Sequence, residues 1–418
     1  MHTSHFTTTR RNWLRGTLSA TLAQTGLRHL AFAEDSAAAK GDLLVTIFLR
    51  GGCDGLGVLA PVDDPHYRAA RGNSMRVLEK GATAGLPLQH AYPGHDWRLH
   101  PSTKPLHELY AQGEMTCIHA CGLVNGTRSH FDAQDMMERG INDQKNLGLS
   151  TGWLARLLEA MPGPGLLPGL SAGGSMPASL LGSSRAAAIG SLQDFAYYGD
   201  DRQSKALRLL HSQAGLLGEG GTRMLSLMES ISKKLPKKPD GGIADYSPKA
   251  GVKYPEHDFS QPLKTIAQLA KAEVGLQVAT VDYGDWDTHT GQDGRMNDLL
   301  ENLSKPLRAF YEDVRGLKQR TTIAVMSEFG RRLKANESGG TDHGHGNLML
   351  VLGPGLKGGR CLGSWPGLAN DQLDQHADLA ITTDFRQVLV EILKNRLGMS
   401  DTSSVFPGFN AGPAVGIS

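Results

Sequence analysis

Three short stretches of this chain carry apolar or β-branched residues at nearly every position: 43–49 (LLVTIFL), 321–326 (TTIAVM) and 347–352 (NLMLVL). A strand covered on one face alternates apolar and polar residues, whereas a strand buried on both faces reads as a continuous apolar run. These runs therefore predict strands of a largely parallel sheet that has helices on both of its faces.

Further strand patterns at 115–120 and 276–281 alternate with helical patterns at 263–274, 296–317 and 383–397. This alternation predicts an α/β fold with a doubly wound, mostly parallel central sheet. We expect one domain over residues 41–418. Residues 162–174 are rich in Pro and Gly, 205–235 have helical spacing and 235–258 have no regular pattern, so a loop-rich insertion is expected over about 161–262.

Side chains able to bind metal ions or take part in catalysis occur in five groups that follow predicted strands. They are Asp54, the 127–130 cluster (TRSH), Asp287 with His289, Glu328, and Asp342 with His343 in the loop 339–346 (GGTDHGHG). Because right-handed crossovers bring the carboxyl ends of parallel strands to one edge of the sheet, we expect these residues to meet there. The alternative is that each is an ordinary cap or turn residue.

Carboxylates and imidazoles together are ligands for divalent metal ions, and the mixture allows zinc, manganese, magnesium or calcium. Two such ions can neutralise an anionic ester and lower the pKa of an attacking hydroxyl or water. We expect Arg50, Arg128 and Arg331 to stabilise the charge on a transferring phosphoryl or sulfuryl group.

The first 33 residues resemble a twin-arginine export signal. Arg10 and Arg11 precede a mildly apolar run that ends in a small-residue cleavage pattern at 31–33 (AFA). The resemblance implies the twin-arginine translocase as a partner and a periplasmic or extracellular mature protein. We expect no stable membrane span, because no later segment has the roughly 18 uninterrupted apolar residues that a span needs.

Charge excludes one class of partner. The signal holds four of the 43 basic residues and no acidic residue, so its removal leaves 39 basic residues against 42 acidic ones. A nucleic-acid footprint requires a basic surface, so no nucleic-acid partner is expected. The four cysteines at 53, 117, 121 and 361 are too few for a disulfide scaffold, and the sequence leaves any pairing open.

Five ordered motifs carry a resemblance to a known family. They are FLRGGCDGL at 48–56, RSHFDAQDMMERG at 128–140, DWDTH at 285–289, SEFGRR at 327–332 and GGTDHGHGN at 339–347. Together they resemble the domain of unknown function 1501 family over essentially the whole mature chain. That family is similar to the alkaline phosphatase and sulfatase superfamily, whose members bind two metal ions and hydrolyse phosphate or sulfate esters.

The resemblance implies metal-ligand roles for five residues. Asp54 resembles the superfamily's first-strand ligand, and Asp342 with His343 resembles its late Asp-His pair. Asp287 and His289 resemble the intermediate Asp and His ligands, although the superfamily commonly spaces these more widely. His345 is expected to orient a ligand, and His376 is either the late histidine ligand or a surface histidine.

The nucleophile is left open between Thr127 and Ser129, within a candidate catalytic set that also contains Arg128 and His130. Ser129 directly precedes a predicted helix whose amino end favours an anion, but it is equally suited to be an ordinary N-cap. Formylglycine chemistry is not expected, because Cys53 does not begin the C-x-P-x-R pattern of sulfatases. The sequence thus predicts a secreted metal-dependent ester hydrolase. The alternative is a secreted binding or assembly protein that retains the fold without catalysis.

Overall fold

A nine-stranded sheet forms the centre of the chain in the structure, a computed structural model that describes residues 42–143, 149–161, 163, 165–195, 201–211, 215–239 and 241–418. The predicted export signal lies outside these residues. The strands within the described residues are β1 (Leu43–Leu49), β2 (Leu59–Pro61), β3 (Leu86–Pro87), β4 (Trp97–Leu99), β5 (Met115–Gly122), β6 (Gly169–Ser171), β7 (Ala186–Ala188), β8 (Val278–Tyr283), β9 (Thr321–Met326), β10 (Asn347–Leu352), β11 (Cys361–Leu362) and β12 (Thr383–Asp384).

The central sheet runs in the order β11-β5-β10-β9-β1-β8-β6-β7, with β12 also paired to β5. Its pairs are parallel except for those of β10, which runs antiparallel to β5 and β9. Strands β2, β4 and β3 form a separate three-stranded antiparallel sheet. Because β10 runs antiparallel to β9, the loop 327–346 leaves and re-enters the central sheet at the same edge.

The helices of the described chain are α1 (Gly55–Val58), α2 (Pro65–Ala70), α3 (Lys104–Ala111), α4 (His130–Arg139), α5 (Trp153–Ala160), α6 (Leu192–Phe195), α7 (Asp201–Leu210), α8 (Leu216–Lys234), α9 (Ser260–Lys271), α10 (Gln292–Val314) and α11 (Phe385–Asn395). Among the described residues, none of these helices combines the length and apolarity that a membrane crossing requires.

Helices cover both faces of the central sheet, as the alternating side chains of β1 demonstrate. Val45 and Ile47 belong to one buried cluster that includes apolar residues of α3, α9 and α10. Leu44 and Phe48 belong to a second cluster that includes residues of α4, α5 and α11. All seven side chains of β1 are buried. The predicted doubly wound, mostly parallel α/β fold is therefore confirmed.

The stretch 161–262, which is expected from the sequence to be a loop-rich insertion, also contains strands of the central sheet. Its first part supplies β6 and β7, which extend the central sheet beyond β8. These strands have only three residues each, so they are too short to show a periodic pattern in the sequence. The single helical pattern at 205–235 corresponds to two helices, α7 and α8.

Candidate metal centre

Three connections bring polar side chains to the edge where the parallel strands end. His130 begins α4 after β5, while Asp287 and His289 follow β8. Glu328 follows β9, and His343 lies in the loop that leads back into the antiparallel strand β10. Since β5, β10, β9, β1 and β8 are consecutive neighbours in the sheet, these connections lie side by side.

A group of three ligand atoms forms at this edge from His130, Asp287 and His343, all within 4.8 Å of one another. The Nε2 atoms of His130 and His343 are 3.0 Å apart. Asp287 Oδ1 lies 3.2 Å from Nε2 of His343 and 3.6 Å from Nε2 of His130. We call these three residues the triad.

His289 contacts the triad from the side. Its Nε2 lies 3.0 Å from Nε2 of His343 and 3.0 Å from Asp287 Oδ1. Its Nδ1 lies 3.3 Å from Asp342 Oδ1, which also accepts a hydrogen bond from the side chain of Asn336. Asp342 therefore orients His289 and faces Nδ1 of that ring instead of the Nε2 atoms.

The far nitrogen of each imidazole faces an oxygen acceptor. Nδ1 of His343 lies 2.8 Å from the backbone carbonyl of Arg128, and Nδ1 of His130 lies 2.8 Å from Glu328 Oε1. A carbonyl or ionised carboxylate can only accept, so each Nδ1 carries a proton, and Nε2 is the nitrogen that presents a lone pair when the ring is neutral. Histidine metal ligands typically have this arrangement, in which one ring nitrogen, here Nδ1, donates to an oxygen atom and the other, here Nε2, is available to the metal.

The spacing of the triad also matches metal ligation. Tetrahedral zinc, with bonds of about 2.0–2.1 Å to nitrogen, holds neighbouring ligand atoms about 3.3–3.4 Å apart. The three distances of 3.0, 3.2 and 3.6 Å bracket that value. Two Nε2 lone pairs at 3.0 Å repel each other unless a proton or a cation lies between them. A cation between these atoms would remove that repulsion, so the triad is a candidate metal site.

The pKa shifts of the three triad side chains indicate which of them are ionised at neutral pH. Burial opposes ionisation of Asp287, but the hydrogen bond and charge of Arg331 outweigh it and lower the pKa to about 2. The hydrogen bond to Glu328 raises the pKa of His130, whereas burial lowers the pKa of His343. At neutral pH, Asp287 is therefore an anion and His343 presents its lone pair.

Glu328 anchors His130. It is not one of the five metal ligands expected from the sequence. Its buried Oε1 accepts hydrogen bonds from the backbone of Gly51 and the side chain of Gln134, both at 2.8 Å, besides facing His130. Burial tends to raise the pKa of Glu328, but the bonds from His130 and Gln134 lower it below its ordinary value. The motif SEFGRR places Glu328 at a strand exit, and only the tertiary contacts reveal its partner.

Arg331 is fully buried and makes no approach to an external anion, contrary to its expected role. It donates to the carbonyls of Gly52 at 2.7 Å, Thr341 at 2.9 Å and Trp286 at 3.2 Å, and also to that of Gly51. A further bond of 2.5 Å reaches Asp287 Oδ1. The guanidinium therefore ties three connections together and fixes a triad carboxylate.

The other two expected cations are also engaged in ion pairs. Arg50 pairs with Glu138 and Asp282. Arg128 pairs with Asp378 and Asp374, so its contribution to the centre is the backbone carbonyl that anchors His343.

Asp54 lies in a buried ion pair instead of in the triad. Its two oxygens accept from Arg71 at 2.5 and 2.9 Å, and Oδ2 also accepts from Gln292 at 2.6 Å. Both side chains of the ion pair are fully buried. The predicted role of Asp54 as a metal ligand would require this ion pair to open.

The two candidate nucleophiles serve local backbone structure. Ser129 is the N-cap of α4, and its Oγ accepts from the amide of Asp132 at 3.4 Å. Thr127 Oγ1 accepts from the amide of Ser129 at 3.2 Å. The choice between these hydroxyls stays a prediction.

His345 and His376, the other two histidines considered as metal-site residues from the sequence, lie apart from the triad. His345 is buried, with Nδ1 3.0 Å from Asp374 and Nε2 3.2 Å from the carbonyl of Leu123. It holds Asp374, which pairs with Arg128. His376 is exposed and contacts the backbone of Asn370.

The glycines of the loop 339–346 allow backbone segments to pack closely. A Cβ at Gly344 would lie 2.4 Å from the carbonyl carbon of Arg331, and one at Gly340 would lie 2.2 Å from that of His289. Side chains at either position would separate the loops that carry the triad.

The sequence matches a family model described as "Protein of unknown function (DUF1501)" over residues 42–407. The chain belongs to this family. No curated protein matches the sequence.

Several solved structures are similar at low identity. The C-terminal periplasmic domain of EcEptC from Escherichia coli is 9% identical over 92% of both chains, with a TM-score of 0.38. Its complex with Zn is 9% identical over 77% of this chain and 75% of that chain, with a TM-score of 0.34. A protein in the alkaline phosphatase superfamily from Vibrio parahaemolyticus is 12% identical, covers 78% and 63%, and has a TM-score of 0.36. With scores this low, these structures carry no information about the chemistry of the present chain.

Proposed function

We propose that this member of the DUF1501 family is a metal-dependent hydrolase of a phosphate or sulfate ester. The observation that carries the proposal is the convergence of His130 Nε2, His343 Nε2 and Asp287 Oδ1 at 3.0 to 3.6 Å, with both rings anchored through Nδ1.

Two nitrogens and one carboxylate oxygen, with His289 as a further nitrogen beside them, form a donor set suited to zinc or manganese. Magnesium and calcium prefer oxygen ligands throughout. The triad supports one ion. A second ion, which the resemblance to the phosphatase superfamily implies, would draw on Asp342 and on Asp54 once released from Arg71.

When bound, the ion would supply Lewis acidity, polarising the ester and favouring ionisation of the attacking water or hydroxyl. The chain's own residues would hold the geometry. Glu328 fixes the ring of His130, the carbonyl of Arg128 fixes that of His343, and Arg331 fixes the carboxylate of Asp287. The side chains of Asp287, His289 and Asp342 are 47%, 42% and 50% exposed, so a substrate in solution can reach the centre.

The test has two readouts on the purified mature protein. Metal content measured by mass spectrometry is expected to approach one ion per chain in the wild type and to fall at least tenfold in His343→Ala. Hydrolysis of aryl phosphates and aryl sulfates is expected to fall with it. His66→Ala, which removes an exposed histidine of α2, is the matched control and should retain both. Full metal content in His343→Ala would overturn the proposed metal centre. Equal turnover by His343→Ala and His66→Ala would overturn the proposed hydrolase activity.

A second candidate is a secreted binding or assembly protein that keeps the metal centre without catalysis. The specific observation in its favour is the ion pair between Asp54 and Arg71, which occupies the carboxylate expected to serve a second ion. Metal bound by the wild type, together with no turnover of either ester class, would favour this candidate.

We also propose that the N-terminal segment directs twin-arginine export, so that the mature protein works in the periplasm or outside the cell. The paired Arg10 and Arg11 motivate this proposal. Replacing both by lysine should retain the protein in the cytoplasm, and unaltered export of that variant would refute it.

A further inference from the structure

Two of the four cysteines face each other across neighbouring strands. Cys117 lies in β5 and Cys361 in the edge strand β11, and their Cα atoms are register partners in a parallel pair. Register partners on parallel strands about 4.8 Å apart point to the same face of the sheet. That separation lies within the Cα–Cα range of about 4.4–6.8 Å found for disulfides.

The side chain of Cys361 lies close enough to that of Cys117 to raise the pKa of the Cys117 thiol, together with burial. The hydroxyl of Tyr110 lies 4.0 Å from Cys361 Sγ. Cys117 is buried and Cys361 is partly exposed, so a reagent in solution reaches the pair through Cys361.

The fold gives the remaining cysteines other neighbours. Cys121 lies four residues beyond Cys117 on the same strand, roughly 13 Å away in extended backbone, and its register partners are Thr383 and Asn347. Cys53 lies after β1, where its amide donates to Ser327 Oγ. Pairing either of them with Cys117 or Cys361 would require the sheet to open.

We propose that Cys117 and Cys361 are a disulfide site, closed in the folded chain by a small disulfide oxidant. The thiolate of Cys361 attacks a sulfur of the oxidant, forming a mixed disulfide and releasing the first thiol. Cys117, after losing its proton to solvent, then attacks Sγ of Cys361 and releases the second thiol. Two electrons pass from the cysteines to the oxidant, which leaves as two thiols.

The disulfide would staple an edge of the sheet that supports the metal centre. β11 and β12 both pair with β5, and the chain between them contains Asp374 and Asp378, the partners of Arg128. Because the cross-link closes a very long loop, it restricts the unfolded chain strongly. We expect oxidation to raise the thermal unfolding midpoint by several degrees.

The experiment treats the folded, full-length protein with oxidised glutathione, blocks free thiols under denaturing conditions and maps the peptides without reduction. Peptide fragmentation distinguishes Cys117 from Cys121. The expected result is one intramolecular link between Cys117 and Cys361, with Cys53 and Cys121 blocked. Recovery of both Cys117 and Cys361 as blocked thiols, or of a link to another cysteine, would overturn the proposal.

Two variants complete the test. Cys361→Ser should lose the link and should unfold at the same temperature with and without a reductant. Cys121→Ala should keep the link and the several-degree drop on reduction that is expected for the wild type. A drop of equal size in Cys361→Ser would also overturn the proposal.

Discussion

Replacing Arg331 by Met should both destabilise the fold and loosen the metal centre. The guanidinium donates to four backbone carbonyls inside the protein, at Gly51, Gly52, Trp286 and Thr341. Methionine fills similar space but donates nothing. Each orphaned buried acceptor costs about 1 kcal/mol or more, so the free energy of unfolding should fall by about 4 kcal/mol.

The ion pair with Asp287 adds little to that figure, because the aspartate side chain is nearly half exposed and screened by solvent. Its loss should act on metal binding instead. Without Arg331 the carboxylate of Asp287 is no longer held against the two histidines of the triad, and loss of such an orienting partner typically weakens metal affinity about 10- to 100-fold.

Urea unfolding followed by circular dichroism measures the first effect, and zinc titration against a chromogenic chelator at pH 7 measures the second. Arg202→Met is the matched control, since Arg202 is an exposed arginine of α7. Its unfolding free energy should change by less than about 0.5 kcal/mol. If Arg331→Met stays within 1 kcal/mol of wild type, the argument that Arg331 holds the three connections together is wrong.

Three further predictions follow from the same structure. Burial lowers the pKa of His119 from 6.5 to about 4, so the unfolded chain takes up the proton first as pH falls; stability should drop by about 3 kcal/mol between pH 7 and pH 4, and a flat urea midpoint over that range would contradict this. Gly344→Ala should lower the melting temperature and the zinc affinity because its Cβ meets backbone, whereas Gly294→Ala, which meets nothing within 4 Å, should leave both nearly unchanged; equal melting temperatures would refute the packing argument. Glu328→Gln removes the anion that faces His130 Nδ1, so zinc affinity should fall about 10- to 100-fold; unchanged affinity in the same titration would show that Glu328 does not orient the ligand.

The fold was largely predictable because β1 is apolar at nearly every position, a pattern that only a strand covered on both faces produces. The edge that carries the site followed from parallel strand topology. The sequence could not reveal β6 and β7, because three-residue strands of small side chains have no readable period.

The ligand set was predictable only in part, because the type of a residue does not reveal which other residues of the fold its side chain contacts. Asp54 follows a strand exactly as a ligand would, but Arg71, 17 residues later, neutralises it. The position of His130 beside Ser129 predicts a catalytic role for it. Its position in the triad depends on how α4 packs against Glu328, which is a tertiary contact across 198 residues.

The most direct test of the metal centre is anomalous diffraction at the zinc edge from crystals of the mature protein grown with zinc. The account predicts a peak about 2.0–2.2 Å from His130 Nε2, His343 Nε2 and Asp287 Oδ1. The peak should vanish in His343→Ala and persist in His66→Ala. A peak ligated by other residues, or its absence from this edge of the sheet in the wild type, would contradict it.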